Sequence, residues 1–162
     1  MSIIKIFTTG GSIDKTYSTL ASDFVVGAPQ IDMILKEAIV NLDYKIESVF
    51  KKDSLDITDS DRQLIVDKVT ACPHQRIIIT HGTDTMVDTA KALQHIEGKT
   101  IIITGAMQPA SFKQTDAVFN IGCAVSAVQV LPNGVYIVMS GRVFNPDNAR
   151  KNLQTNQYEF IE

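Results

Sequence analysis

Cysteine is nearly absent: Cys72 and Cys123 are the only two in a chain of 162 residues. Both fall in apolar helical patterns, which argues against a disulfide or a metal role and reads most simply as small core residues. The three histidines, His74, His81 and His95, lack ligand spacing. No metal and no cofactor is expected. An excess of one charge is missing too. Fifteen basic and eighteen acidic residues are interspersed, for a net charge of −3. No basic face therefore recommends nucleic acid or a membrane surface as a partner. No apolar run approaches the roughly 18 residues of a membrane span, and no signal-peptide pattern opens the chain. A cytoplasmic protein is expected. Repeats, linkers and low-complexity stretches are lacking, so residues 1–162 read as one domain, 44% hydrophobic, with only the tail 152–162 unassigned. Folding at this size buries roughly 70% of the unfolded chain's surface, enough for a self-sufficient core.

The glycines of the first loop, "IIKIFTTGGSIDKTY", are absent from the places a nucleotide would need them. A P-loop reads G-x-x-x-x-G-K-(S or T), so that glycine amides wrap the phosphates. Lys15-Thr16 supplies its tail, but Asp14 and Thr9 stand where the two glycines belong. A carboxylate at that place repels phosphate. Gly10 and Gly11 are adjacent with no third glycine following, so the dinucleotide fingerprint is missing as well.

What is present is an alternation of strand and helix. Residues 3–8, 44–51, 76–80, 99–104 and 135–140 read as strands, and "RIIIT", "KTIIIT" and "VYIVMS" are the continuous β-branched runs of strands covered on both faces. Helices are expected over 29–42, 58–72, 85–96 and 115–131, the first with Pro29 in its opening turn and the second capped by Thr58. This pattern predicts a three-layer α/β domain: a mostly parallel sheet of about five strands, flavodoxin- or Rossmann-like, with helices on both faces. Such sheets bind ligands at the carboxyl ends of their strands. The polar segments "TTGGSID", "KDSLDIT", "HGTDTM" and "GAMQPASF" all fall there, whereas the opposite turns look like plain connections.

In "THGTDTM", Gly82 permits a sharp turn or close approach. Thr83 offers a hydroxyl, Asp84 a carboxylate for an ammonium group, and the amides opening the next helix favour an anion. Together they suit a zwitterionic amino acid. Asp84 or Thr85 could equally be a simple helix cap. A hydroxyl nucleophile needs a base, and a desolvated lysine such as Lys151 in "ARKNLQTN" can serve, although a surface lysine is the blander reading.

The segments "TTGGSID", "KDSLDIT", "THGTDTM", "TGAMQPASF", "TDAVFNI" and "GRVFNPDNARKN" occur in an order and spacing that resembles the bacterial L-asparaginase family, from the first strand to about Asn152. The resemblance is to that family's N-terminal, catalytic-loop domain. It implies hydrolysis of the side-chain amide of L-asparagine through an acyl-enzyme. Ser12 falls where the first-loop threonine nucleophile sits, and Thr83 matches the second essential threonine, with Lys151 and Asp84 as its relay. Ser54 and Asp56 match the substrate-binding segment. Gly82 and Thr83 would contact the substrate carboxylate and Asp84 its ammonium, with Gly11 and the amides around Thr83 and Ala106 available for an oxyanion. A related amidase or glutaminase, or an amino-acid sensor that has lost turnover, are the alternatives.

The departures from that family are specific. Position 12 is serine, which keeps a hydroxyl but loses the stiff β-branched rotamer. "SDFVVG" puts Phe24 where the family's mobile loop carries a tyrosine, leaving Tyr17 as the phenol of that loop. Leu55 replaces a common polar contact. The glutamate that long members contribute from a second domain has no match, and Glu159 and Glu162 are the available substitutes. Finally, "NIGCAVSAVQVL" looks apolar around more of its circumference than one sheet-facing stripe needs, with Ile121, Ala124, Val125, Ala127, Val128 and Leu131. This predicts at least a homodimer, with that helix in or near the interface and the loops partly covered.

Overall fold

The computed structural model describes residues 2–161. In chain order the elements are β1 (Ile4–Gly10), the hairpin β2 (Lys15–Ser18) and β3 (Asp23–Val26), α1 (Ile31–Glu37), β4 (Tyr44–Lys52) and α2 (Asp59–Ala71). There follow β5 (Arg76–Thr80), α3 (Met86–Leu93), β6 (Thr100–Thr104), α4 (Ala117–Val130), β7 (Gly134–Met139) and β8 (Arg142–Phe144). A second hairpin, β9 (Ala149–Asn152) and β10 (Gln157–Phe160), closes the domain.

The sheet has six strands in the order β4-β1-β5-β6-β7-β8. The first five are parallel, and β8 returns antiparallel to β7. The five predicted strands thus keep the flavodoxin order, and the sixth is an added edge. Residues 77–79 and 101–103, all isoleucine, are fully buried because helices cover both faces. On one side α2 and α3 pack Ile65, Val69, Met86 and Leu93 against the sheet. On the other, α1 and α4 pack Ile31, Leu35, Ile121 and Val128. Each buried isoleucine contributes roughly 1.5–3 kcal/mol, so the middle of the sheet carries the stability. Among the described residues no helix is long and apolar enough to cross a membrane.

Helix α2 starts as its sequence dictates. Thr58 Oγ1 accepts from the Asp61 amide at 3.1 Å, and Asp61 Oδ2 accepts from the Thr58 amide at 2.9 Å. Aspartate thereby completes a capping box usually built with glutamate. Helix α1 is shorter than expected, ending at Glu37 rather than near Leu42. Ile39 and Val40 donate to the Lys36 and Leu35 carbonyls at 3.1 and 3.3 Å, a Schellman closure. That closure puts Ile39 at φ 55°, a left-handed conformation costly for a β-branched residue, with its side chain 89% exposed. Ile39→Gly should therefore stabilise the domain by about 1 kcal/mol. Urea denaturation showing a neutral or destabilising change would refute this.

The apolar circumference of α4 is satisfied inside the monomer. Ile121, Ala124, Val125, Ala127 and Val128 are buried and Leu131 is half-buried. The helix packs on β5, β6 and β7 and also touches α1, so two surfaces within the chain cover the stripe. These side chains are already covered within the chain, so the apolar breadth of α4 does not itself argue for an interface between copies. The exposed apolar residues of α4 are Val118, Phe119 and Val130.

Candidate active site

The chain leaves β1 towards β4 and leaves β5 towards β6, with α1 and α3 on opposite faces. The carboxyl ends of β1 and β5 therefore form the switch point at which such sheets open a crevice. Gly11 and Ser12 follow β1, Gly82 and Thr83 follow β5, and Ser54 follows β4 on the other side of β1. Glycine is what lets these loops touch. A Cβ on Gly11, at φ +85°, would lie 2.5 Å from the Gly82 Cα and nitrogen. A Cβ on Gly82 would lie 2.6 Å from the Ser54 Cβ.

At this junction Lys151 crosses from β9. Its Nζ donates to Thr83 Oγ1 at 2.8 Å and pairs with Asp84 Oδ1 at 2.8 Å. The lysine side chain is 15% exposed and the aspartate 35%, so the ion pair is partly sheltered and outlasts an ordinary surface pair. Thr83 is buried. Ser54 Oγ accepts from the Asp84 amide at 3.2 Å, and the Ser54 carbonyl accepts from the Thr85 hydroxyl at 2.8 Å. Neither Asp84 nor Thr85 caps α3 by its side chain. The simple-cap reading fails because both side chains have found partners on other loops.

Of the other predicted residues, Ser12 lies half-buried in a short 3₁₀ turn beside this cluster. Among the described residues its hydroxyl has no protein partner. Asp56 is exposed on the turn after β4, with Leu55 beside it at 72% exposure. Ala106 is buried on the loop after β6, a loop that α4 braces. Asp116 there accepts from the Met107 and Gln108 amides at 2.9 Å each, and Asn120 Nδ2 donates to the Gly105 carbonyl at 2.9 Å. Phe24 is not brought to Thr83 by any contact. It sits on β3, its ring 5.6 Å from that of Tyr17 and 5.4 Å from that of Phe112. Glu159 is directed away from the cluster. It stands opposite Arg150 on the hairpin and binds Arg150 and Asn152 at 2.7 and 3.0 Å, because neighbouring strand residues face opposite sides. Glu162 lies outside the described residues.

The tail missed by pattern reading is the hairpin that carries Lys151. Tyr158 stands opposite Lys151 in its register, and its hydroxyl donates to the Thr83 carbonyl. The signal available was "LQTN" between "ARKN" and "QYEF", a turn in which Asn156 takes φ 53°. Clefts of about 310–480 Å³ lie elsewhere on the molecule and are not lined by Ser12, Thr83, Asp84 or Lys151. The loop cluster itself is an open face. Among the described residues no group of three histidine, cysteine or acidic side chains could hold a metal ion.

Two buried titratable groups flank the loops. His81 donates from Nδ1 to the Gly82 carbonyl at 2.7 Å, and its Nε2 accepts from the Thr89 hydroxyl at 2.7 Å. Thr89 Oγ1 in turn accepts from Arg62 Nε at 3.3 Å, so one neutral tautomer satisfies every group. Burial, with a smaller contribution from the Arg62 charge, pushes the imidazole down to about 4. Asp14 anchors the root of the first hairpin by accepting from the Gln30 amide at 2.9 Å. Burial pushes its carboxyl up to about 7, against the opposing pull of that amide and of Lys51. The folded state thus holds the Asp14 proton more tightly than the unfolded chain, so stability falls as pH rises from about 4 to 7. The folded state resists protonating His81, so stability rises over about pH 4 to 6.5. Each effect is about 3–4 kcal/mol, and across the shared window they nearly cancel. Asp14→Asn should unmask the histidine: stability in urea climbing by about 3 kcal/mol between pH 4 and 6.5, and exceeding the parent above pH 7. Parallel pH curves for variant and parent would show that Asp14 does not titrate this way.

A family model for the N-terminal domain of asparaginase matches residues 3–161. The chain belongs to the asparaginase family. L-asparaginase 2-3 of Saccharomyces cerevisiae is 34% identical over 155 residues, covering 86% of this chain and 42% of that protein. L-asparaginase 2 of Escherichia coli is 31% identical over 170 residues, covering 97% and 48%. The crystal structure of L-asparaginase I from Vibrio cholerae superposes with a TM-score of 0.85 at 27% identity, over 98% of this chain and 51% of that one. The chain thus spans about half the length of these asparaginases.

Proposed function

We propose that this domain hydrolyses the side-chain amide of L-asparagine to L-aspartate and ammonia. The observation that carries this reading is the contact of Lys151 with Thr83 and Asp84, made between residues 68 and 67 positions apart. A buried hydroxyl bonded to an amine, itself paired to a carboxylate, is the arrangement that proton transfer to and from a hydroxyl requires. Ser12 Oγ attacks the amide carbon and passes its proton, by way of Thr83 and Lys151, to the leaving nitrogen. Ammonia departs and an ester to Ser12 remains. Water then cleaves the ester, its proton returning to Ser12 Oγ. The backbone amides of Gly11, Thr83 and Ala106 are the donors proposed for the oxyanion. The substrate's carboxylate lies on Ser54, Gly82 and Thr83, and its ammonium on Asp56 and Asp84, whose Oδ2 has no partner among the described residues. Phe24 and Tyr17 pair on the β2–β3 hairpin, and they reach the substrate only if that hairpin closes over the site.

The whole-protein setting forms part of the proposal. Two free cysteines suit a reducing compartment, so the cytoplasm is the proposed location. The exposed Val118, Phe119 and Val130 on α4 are the surface proposed for a homo-oligomer. Ammonia release from asparagine, glutamine and substrate-free buffer decides the reaction. Release from asparagine supports the proposal, and preference for glutamine moves it to the related amidase. Stoichiometric aspartate binding without turnover replaces it with an amino-acid sensor.

A further inference from the structure

The hairpin β9–β10 sets Tyr158 directly opposite Lys151 in an antiparallel register. Side chains at such paired positions share one face, and here both reach the same residue. Lys151 holds the Thr83 side chain at Oγ1, while the Tyr158 hydroxyl donates to the Thr83 main-chain carbonyl. The other end of the same peptide group, the Asp84 amide, is held by Ser54 Oγ at 3.2 Å. The peptide plane between Thr83 and Asp84 is therefore gripped at its oxygen from one loop and at its nitrogen from another. Rotation of that plane would turn the Thr83 carbonyl and the Asp84 amide together and carry both side chains off Lys151.

Nothing else about Tyr158 accounts for a phenol. It is 3% exposed, and its ring packs 6.1 Å from Phe144, a contact that phenylalanine would make equally well. Among the described residues the hydroxyl has no other partner. Burial, then the nearby carboxylates of Asp84 and Asp88, raises its pKa well above that of an ordinary phenol. It is therefore a donor at neutral pH.

We infer that Tyr158 is a positioning residue for the Thr83–Asp84–Lys151 cluster, clamping the Thr83–Asp84 peptide plane through the Thr83 carbonyl. This rests on the proposed amide hydrolysis for its kinetic consequence but not for its structural one. Tyr158→Phe removes one hydroxyl and keeps the packing. Assayed well below its melting temperature, the variant should lose ~10- to 100-fold in kcat for asparagine with KM changed less than ~3-fold, since small misplacements of reacting groups cost that much. Exchange of the Asp84 amide proton, followed by NMR, should accelerate at least ~10-fold as the Ser54 contact loosens. Phe144→Leu serves as the control. It weakens the same hairpin without touching the carbonyl, and should lower the melting temperature while leaving kcat and Asp84 exchange unchanged.

A Tyr158→Phe variant with full kcat and only a lower melting temperature would overturn the inference and leave the tyrosine as packing alone. If the parent chain releases no ammonia, the functional reading fails separately and exchange decides the clamp. Accelerated Asp84 exchange in Tyr158→Phe, but not in Phe144→Leu, upholds it; unchanged exchange overturns it.

Discussion

Thr83→Ala is expected to lower asparagine turnover about a thousandfold or more while the domain stays folded. The hydroxyl it removes accepts from Lys151 at 2.8 Å, so the change takes away the group through which the lysine would exchange protons with the reacting atoms. The stability cost is small, because Lys151 keeps its ion pair with Asp84. Ser12→Ala should be comparably damaging, and the double variant hardly worse than either single one, since residues that act as one unit are not additive. Lys151→Met should abolish turnover too, with a smaller effect on aspartate binding than on rate. Single-turnover kinetics beside aspartate titrations separates the two. Near-normal rates in both hydroxyl variants would end the amidohydrolase assignment. Loss in Thr83→Ala alone would make Thr83 the nucleophile.

Gly11→Ala should be a strongly disruptive single-methyl change in the site. The added carbon would sit 2.5 Å from backbone atoms of Gly82, which no rotamer change can relieve. The backbone at φ +85° also disfavours any Cβ, at about 1–2 kcal/mol. Overpacking adds about 1–3 kcal/mol. The sum, roughly 2–5 kcal/mol, is a large part of the 5–15 kcal/mol typical of a domain. The loops after β1 and β5 must move apart to accept the methyl, so turnover should fall together with stability. Calorimetry and the ammonia assay on one preparation test this. A variant melting within a degree of the parent would show that the loops are not in contact.

The architecture was legible because strand and helix patterns rest on local physics. Residues 77–79 and 101–103 are continuous apolar runs too short for helices, and a parallel, doubly covered sheet is where such runs are stable. Thr58 was legible as a cap for the same reason, its partner Asp61 being three residues away. Ile39 was not. Its helix ended on a left-handed isoleucine because Val40 and Leu42 pack against the core beside α1, a tertiary constraint overriding helix periodicity. The apolar breadth of α4 was visible too, but a sequence cannot say whether the second apolar surface faces another copy or, as found, α1 of the same chain.

Of the site, the ingredients were readable along the chain: hydroxyls at Ser12, Ser54 and Thr83, carboxylates at Asp56 and Asp84, and glycines at 11 and 82, all at the carboxyl ends of predicted strands. Motif and strand end together place such residues on one edge of the sheet, because a parallel sheet aligns all its carboxyl ends. The three-dimensional fold set which groups touch. It brought Lys151 to Thr83 across 68 positions, laid Tyr158 beside it, turned Glu159 to the far side of the hairpin and left Phe24 among aromatics away from Thr83. The physical reason is range. Strand alternation, helix periodicity and capping act over a few residues, whereas the Lys151 contact depends on where the last hairpin docks, a balance of packing against Phe144 and hydrogen bonding to Thr83 that no local pattern encodes.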